Sequence, residues 1–96
     1  MEFINNSDNQ ITNNLKELVL KVQEEQPVLL SKEAIVTEIT KTGLATVVVE
    51  YQGFINLKDM PTNQEGLCEV YSSTIGDVNI ISFSDNNLTL QIYDKG

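Results

Sequence analysis

The side chains that most often carry catalysis are nearly missing from this chain. Its 96 residues include no histidine and one cysteine, Cys68, and 14 acidic residues against six basic ones give a formal charge of -8. A serine nucleophile needs a neighbouring base. Serines such as Ser72 and Ser84 have neither a histidine nor a Ser-x-x-Lys spacing to supply one. The sequence therefore predicts a protein that is not an enzyme.

Acidic side chains are the remaining candidates for chemistry. The pairs Glu65/Glu69 and Asp77/Asp85 are spaced so that they could share acid–base work. Both pairs fall mainly in predicted loops and turns, where a solvated carboxylate is the ordinary interpretation. Zinc sites need several Cys or His ligands, and a calcium loop needs a run of Asp residues followed by glycine. Neither pattern occurs, so we expect no metal and no cofactor.

Apolar runs in this sequence are too short to cross a membrane. The first ten residues are polar and rich in Asn, unlike a signal peptide. One cysteine cannot form an internal disulfide. These features predict a protein without membrane contact.

Nucleic-acid binding has a small set of candidate residues. Tyr51 and Phe54 could stack on bases, and Lys41 and Lys58 could contact phosphates. The net charge of -8 repels a polyanion, however, and two lysines do not make a basic groove. The composition disfavours nucleic acid as a partner.

A helical pattern precedes the rest of the chain. Residues 1–9 are predicted to be a flexible N-terminus, and residues 10–26 a helix that Ser7 or Asp8 caps and Pro27 ends. Its apolar stripe includes Leu15, Leu18 and Val22. The stripe either packs on the remainder of the chain, which we favour because a short helix is marginal alone, or docks on a partner.

Residues 27–96 have the pattern of short strands. The predicted strands cover residues 33–40, 44–50, 54–57, 67–72, 78–83 and 88–93. In the last of them Leu88, Leu90 and Ile92 alternate with Thr89, Gln91 and Tyr93, which predicts one buried and one outer face. Five or six antiparallel strands of this length favour a small closed barrel, since closure removes exposed edges.

One resemblance supports that barrel. The segments Val36-Thr37-Glu38-Ile39 with Gly43, then residues 53–60, then Ile75-Gly76-Asp77 resemble the OB-fold RNA-binding repeat of a bacterial small-subunit ribosomal protein. In that family Phe54 matches a base-stacking position. The resemblance implies an OB fold and an RNA-binding face.

A second resemblance covers nearly the whole chain. A short helix over residues 15–26, the Pro27-Val28 junction, Ala34 to Ile39, and Ile75-Gly76-Asp77-Val78 are similar to the small OB-fold baseplate and tail proteins of Gram-positive phages and PBSX-like contractile particles. The resemblance implies a mainly β chain: a five- to six-stranded antiparallel OB-like barrel with one N-terminal α-helix.

That family implies a structural role, for a protein made in the bacterial cytoplasm and assembled into the virion or phage-like particle. The expected function is a non-enzymatic assembly component of a phage tail baseplate or phage-like contractile injection particle, bound to other tail proteins in a multimer. Partner contacts are expected at Leu15, Leu18, Val22, Tyr51 and Phe54. Two alternatives stay open: a degenerate OB-fold nucleic-acid-binding domain, and a small acidic inhibitor or adaptor.

Overall fold

The structure is a computed structural model that describes residues 1–25, 33–50 and 57–96. Most of these residues belong to one sheet with a single α-helix on one face. The elements are β1 (Glu2–Asn5), α1 (Asn13–Glu25), β2 (Glu33–Ile39), β3 (Leu44–Glu50), a 3-10 turn (Leu57–Asp59), β4 (Cys68–Ser72), β5 (Gly76–Ser84) and β6 (Asn87–Asp94).

The six strands lie in the order β1-β2-β3-β6-β5-β4. β1 pairs in parallel with β2, and each of the other neighbouring strands pairs antiparallel. Helix α1 supplies the crossover that a parallel connection needs. A mainly β chain with one N-terminal helix is thus confirmed.

The predicted barrel does not close over the described residues. β1 and β4 are the two edges of the sheet, and no pairing between these described strands joins them. The sheet is therefore open and mixed, which corrects the closed antiparallel OB-like barrel. One reason is β1: residues 1–9 were predicted to be a flexible terminus, and Glu2–Asn5 instead adds a strand beside β2.

Helix α1 covers one face of the sheet and completes the core. Its buried residues Leu15, Leu18, Val19 and Val22 lie on one side and pack against β4, β5 and β6. From the sheet, alternate residues enter the same core, because strand side chains point to opposite faces in turn. The buried members from the strands are Ala34, Val36, Ala45, Val47, Val49, Val70, Val78, Ile80, Leu88, Leu90 and Ile92.

Gly76 lets the helix approach the sheet. It is buried at the start of β5, and a Cβ placed on it would lie 2.6 Å from Leu18 Cδ1 and closer still to the carbonyl oxygen of Tyr93. No real Cβ fits there without displacing backbone. Leu18 therefore occupies the space that any other residue at position 76 would take.

A two-residue turn joins β5 to β6. Asp85 and Asn86 both have positive φ, 51° and 64°, between the paired residues Ser84 and Asn87. Two consecutive left-handed residues are the signature of a type I′ turn, whose twist matches that of the strands. The turn falls in the gap between the predicted strands 78–83 and 88–93, and Asp and Asn suit it because they tolerate positive φ.

Candidate binding site

The face of the sheet opposite α1 carries the outer members of each strand. Cross-strand partners share a face, so the register Leu44↔Tyr93↔Asp77 places these three side chains in one row. Two residues further along each strand, the next row on the same face is formed by Thr46, Gln91 and Asn79. These two rows form the floor of a concave site.

A loop after the 3-10 turn forms the wall of that site. Its residues Asn63, Gln64 and Glu65 line a cavity of about 520 Å³ together with residues of the two rows. We name this cavity the outer pocket. The remaining lining residues are Leu44, Asp77, Asn79, Gln91 and Tyr93.

Hydrogen bonds within the loop set the orientation of Asn63. Its Oδ1 accepts from the backbone N–H of Glu65 at 2.9 Å and of Leu67 at 3.1 Å. Only Nδ2 is then left to donate, and it does so to Asn79 Oδ1 at 3.2 Å. Because an amide is asymmetric, this chain of bonds also fixes Asn79 with its Nδ2 as the remaining donor.

Asn79 is the buried polar residue of the pocket. Its side chain is only 7% exposed, and it lies on β5 between the core residues Val78 and Ile80. Within the described residues no side chain or carbonyl group accepts a side-chain hydrogen bond from Asn79 Nδ2. Buried amide donors in proteins nearly always have an acceptor, so this N–H pair is available to a molecule in the pocket.

Asp77 takes part in a polar cluster beside the pocket. Ser72 Oγ donates to Asp77 Oδ1 at 2.7 Å, and Lys95 Nζ lies 2.9 Å from Asp77 Oδ2. Partial burial by itself raises the pKa of Asp77, but the hydrogen bonds from Ser72 and Lys95 and the lysine charge together hold it below the ordinary value. The cluster ties β4 and β5 to Lys95 near the C-terminus.

The structure separates Asp77 from Asp85 and places Glu65 and Glu69 in different parts of the fold, a loop and β4. Asp77 is the second residue of β5 and Asp85 directly follows the strand, so the two lie roughly 25 Å apart along an extended strand. Glu65 lines the outer pocket, whereas Glu69 on β4 pairs across from Asn79. No cluster of three or more Cys, His, Asp or Glu residues suited to a metal ion occurs in the described ranges.

Helix residues predicted to meet a partner lie in the core. Leu15 is 2% exposed, and Leu18 and Val22 are fully buried against the sheet. In the folded chain they therefore form no exposed docking stripe, as the favoured interpretation of the helix expects. Tyr51 and Phe54 lie outside the described residues.

Sequence reasoning singled out Glu65 and Asp77 of the outer pocket as carboxylates, but it did not single out the carboxamides beside them. Gln91 and Tyr93 had been placed on the outer face by the alternation in the last strand, and that assignment is confirmed. Asn63 and Asn79 carry no local pattern that distinguishes them from other asparagines. Only the pairing of β5 with β4 and the path of the loop bring them together.

Comparisons with known proteins do not extend this description. No protein-family model matches the chain, and neither the curated proteins nor the solved structures contain a match. Among the described residues, no helix combines the length and the apolar character needed to cross a membrane.

Proposed function

We propose that this chain is a non-enzymatic assembly module, and that it serves in a phage tail baseplate or phage-like contractile particle. The segment order that resembles small baseplate proteins motivates the setting. One structural observation motivates the binding role: part of the outer face of the sheet is apolar although α1 does not cover it.

We name that region the outer apolar patch and define it by Ile4, Ile35 and Val48. The register Ile4↔Ile35↔Val48 puts them in one row across β1, β2 and β3. All three are half-buried, so part of each side chain still reaches solvent. A sheet face that packs against no helix is usually polar, and α1 contacts β4, β5 and β6 rather than this row, so Ile and Val here favour a docking surface.

The patch is small, so it suits one contact among several in a multimer better than the whole interface of a two-protein complex. Burying a whole Val or Ile side chain contributes about 1.5–3 kcal/mol, and much of each patch residue is already out of water. The remaining gain is of the same order as the cost of losing translational and rotational freedom. In an assembly that holds each subunit at several points, such weak contacts add, because later contacts become intramolecular.

The net charge of the chain bears on which kind of protein binds the patch. At a formal charge of -8, copies of this chain repel one another over about a Debye length, roughly 8–10 Å at physiological salt. A neutral or basic neighbouring protein does not face that barrier. We therefore propose that the patch meets another protein of the particle.

The test uses the tagged full chain expressed in the bacterium or phage that encodes it. Particles are purified, and the chain is sought in them by immunoblot. Wild type should co-purify with the particles, and Val48→Lys should be lost from them. Thr74→Lys adds the same charge at an exposed site between β4 and β5 and should be retained.

Two other results would favour the alternatives. Absence of wild type from the particles together with tight, salt-sensitive binding to single-stranded RNA or DNA would support the nucleic-acid-binding domain. Its absence together with stoichiometric capture of one basic protein would support the acidic adaptor. Retention of Val48→Lys at the wild-type level would remove the patch from the proposal.

A further inference from the structure

We propose that the outer pocket binds a neutral saccharide unit, a mono- or disaccharide. This site is separate from the outer apolar patch and does not depend on the assembly role. The starting point is Asn79, a buried residue that lines the cavity; its Oδ1 accepts from Asn63 Nδ2, and its own Nδ2 has no acceptor among the described residues.

The pocket is built around that amide rather than shaped by a loose loop. Asn63 Oδ1 accepts from two backbone N–H groups, and the backbone N–H of Asn63 donates to the carbonyl of Leu67 at 3.0 Å. The Asn63 side chain is therefore held in place when it meets Asn79. A donor oriented in advance favours a ligand with a matching acceptor, because less conformational freedom is lost on binding.

Four carboxamides decide the chemical class of the ligand. Asn63 and Asn79 offer chiefly donors because their oxygens already accept hydrogen bonds, whereas Gln64 and Gln91 each carry a donor and an acceptor, and a sugar hydroxyl group can serve both. A hydroxyl-rich ring can thus satisfy the carboxamides without a charge of its own. The four are Asn63, Gln64, Asn79 and Gln91.

An apolar surface lies next to these polar groups. Tyr93 is 46% exposed on β6, and Leu44 is its direct cross-strand partner on β3. Sugar rings have C–H faces that pack on an aromatic ring while their hydroxyl groups bond at the edge. A site with a few convergent polar groups beside an aromatic side chain is the usual form of a small-ligand pocket, and its volume of about 520 Å³ is in the ordinary range of roughly 300–1,000 Å³.

Charge argues against an anionic ligand. Glu65 and Asp77 both line the pocket, and the only cation paired there among the described residues is Lys95, which is bound to Asp77. A phosphate or carboxylate would meet net negative charge. A polyamine is the competing ligand, and the experiment includes one.

The experiment follows backbone and side-chain amides of the ¹⁵N-labelled full chain by NMR. Glucose, galactose, N-acetylglucosamine, maltose and putrescine are titrated separately. We expect saturable shifts with at least one sugar at the side-chain amide of Asn79 and at the backbone amides of Gln91 and Tyr93. Putrescine should cause no saturable shift at these positions.

Matched variants separate the pocket from general surface effects. Tyr93→Ala should weaken sugar binding at least tenfold, whereas Phe83→Ala should leave it unchanged. Both side chains are 46% exposed, but Phe83 lies near the opposite end of β5 from the pocket. Gln91→Ala, which removes a half-buried side chain from the same floor, should also weaken binding and provides a second variant if Tyr93→Ala unfolds.

Several results would overturn the proposal. They are the absence of saturable shifts with every sugar, saturation by putrescine alone, or sugar binding that both Tyr93→Ala and Gln91→Ala leave unchanged. Val48→Lys alters the apolar patch and should not affect sugar binding. Failure of the saccharide site and failure of the assembly proposal can therefore be told apart.

Discussion

Thr12 and Asp94 are 82 positions apart, and Thr12 Oγ1 donates a hydrogen bond to Asp94 Oδ2 at 3.1 Å. Thr12 also accepts from the backbone N–H of Leu15 at 3.1 Å, so it is the N-cap of α1. Asn14 Nδ2 donates to Asp94 Oδ1 at 2.8 Å. The last residue of β6 thus places a carboxylate at the positive end of the helix, where the helix dipole favours it.

Removing that cap should loosen the helix from the sheet. Thr12→Ala leaves the amide of Leu15 and one acceptor of Asp94 without this partner, and an N-cap loss costs about 0.5–2 kcal/mol. Urea unfolding followed by circular dichroism measures the change. Thr74→Ala, at an exposed position in the turn before β5, should stay within about 0.5 kcal/mol of wild type. Equal stability of the two variants would contradict the capping role.

Acid should destabilise the fold partly through Asp94 and Asp77. Burial raises the pKa of Asp94, but hydrogen bonds from Asn14, Gly96 and Thr12 outweigh it and lower that pKa below the ordinary value. A carboxylate whose pKa is lowered by folding stabilises the native state above its unfolded pKa, near about 3.9. That contribution is lost as the pH falls through the lower folded pKa.

The measurement is the free energy of unfolding as a function of pH, from about pH 7 down to about pH 2. The free energy of unfolding of the wild type should fall below about pH 4. Asp94→Asn should be less stable than wild type at neutral pH, and its free energy of unfolding should fall less steeply in acid. Asp8→Asn changes an exposed acid outside both networks and should keep the wild-type slope. An unchanged slope in Asp94→Asn would count against this assignment.

Gly76→Ala should destabilise the protein more than an ordinary glycine replacement. The new methyl group would overlap the carbonyl oxygen of Tyr93 and lie 2.6 Å from Leu18 Cδ1, and overpacking of this kind typically costs about 1–3 kcal/mol. Thermal unfolding provides the readout. At Gly66 nothing lies within 4 Å of the Cβ position and φ is +80°, so Gly66→Asn, which tolerates that backbone, is the control with little expected change. A fully stable Gly76→Ala protein would show that Leu18 is not packed there.

In the turn between β5 and β6, two substitutions of Asn86 should affect the stability of the protein differently. Asn86 has φ +64°, so Asn86→Ala should cost about 1 kcal/mol, because a left-handed backbone disfavours Ala. Asn86→Gly should be neutral or slightly stabilising, since Gly is preferred at this position of a type I′ turn. Urea unfolding of both variants tests the pair. The same loss in both would mean that the Asn86 side chain, rather than its backbone angle, matters.

Local pattern was sufficient for much of the secondary structure. The period of Leu15, Leu18 and Val22 predicted the helix, and the alternation of Leu88, Leu90 and Ile92 predicted the core face of β6. These signals work because a helix or a half-buried strand repeats its apolar residues at a fixed interval. Composition likewise predicted an acidic chain without the usual catalytic side chains.

Long-range pairing decided what the sequence left open. The four residues Glu2–Asn5 are too few for a sequence pattern to predict a strand. They form one because they pair with the edge of β2. The choice between an open and a closed sheet depends in the same way on which edges meet. The outer pocket joins Asn63 of a loop to Asn79 of β5 through tertiary contact. Residue types set the chemistry that was available, but only the folded arrangement brought a buried amide, a tyrosine and a polar loop to one place.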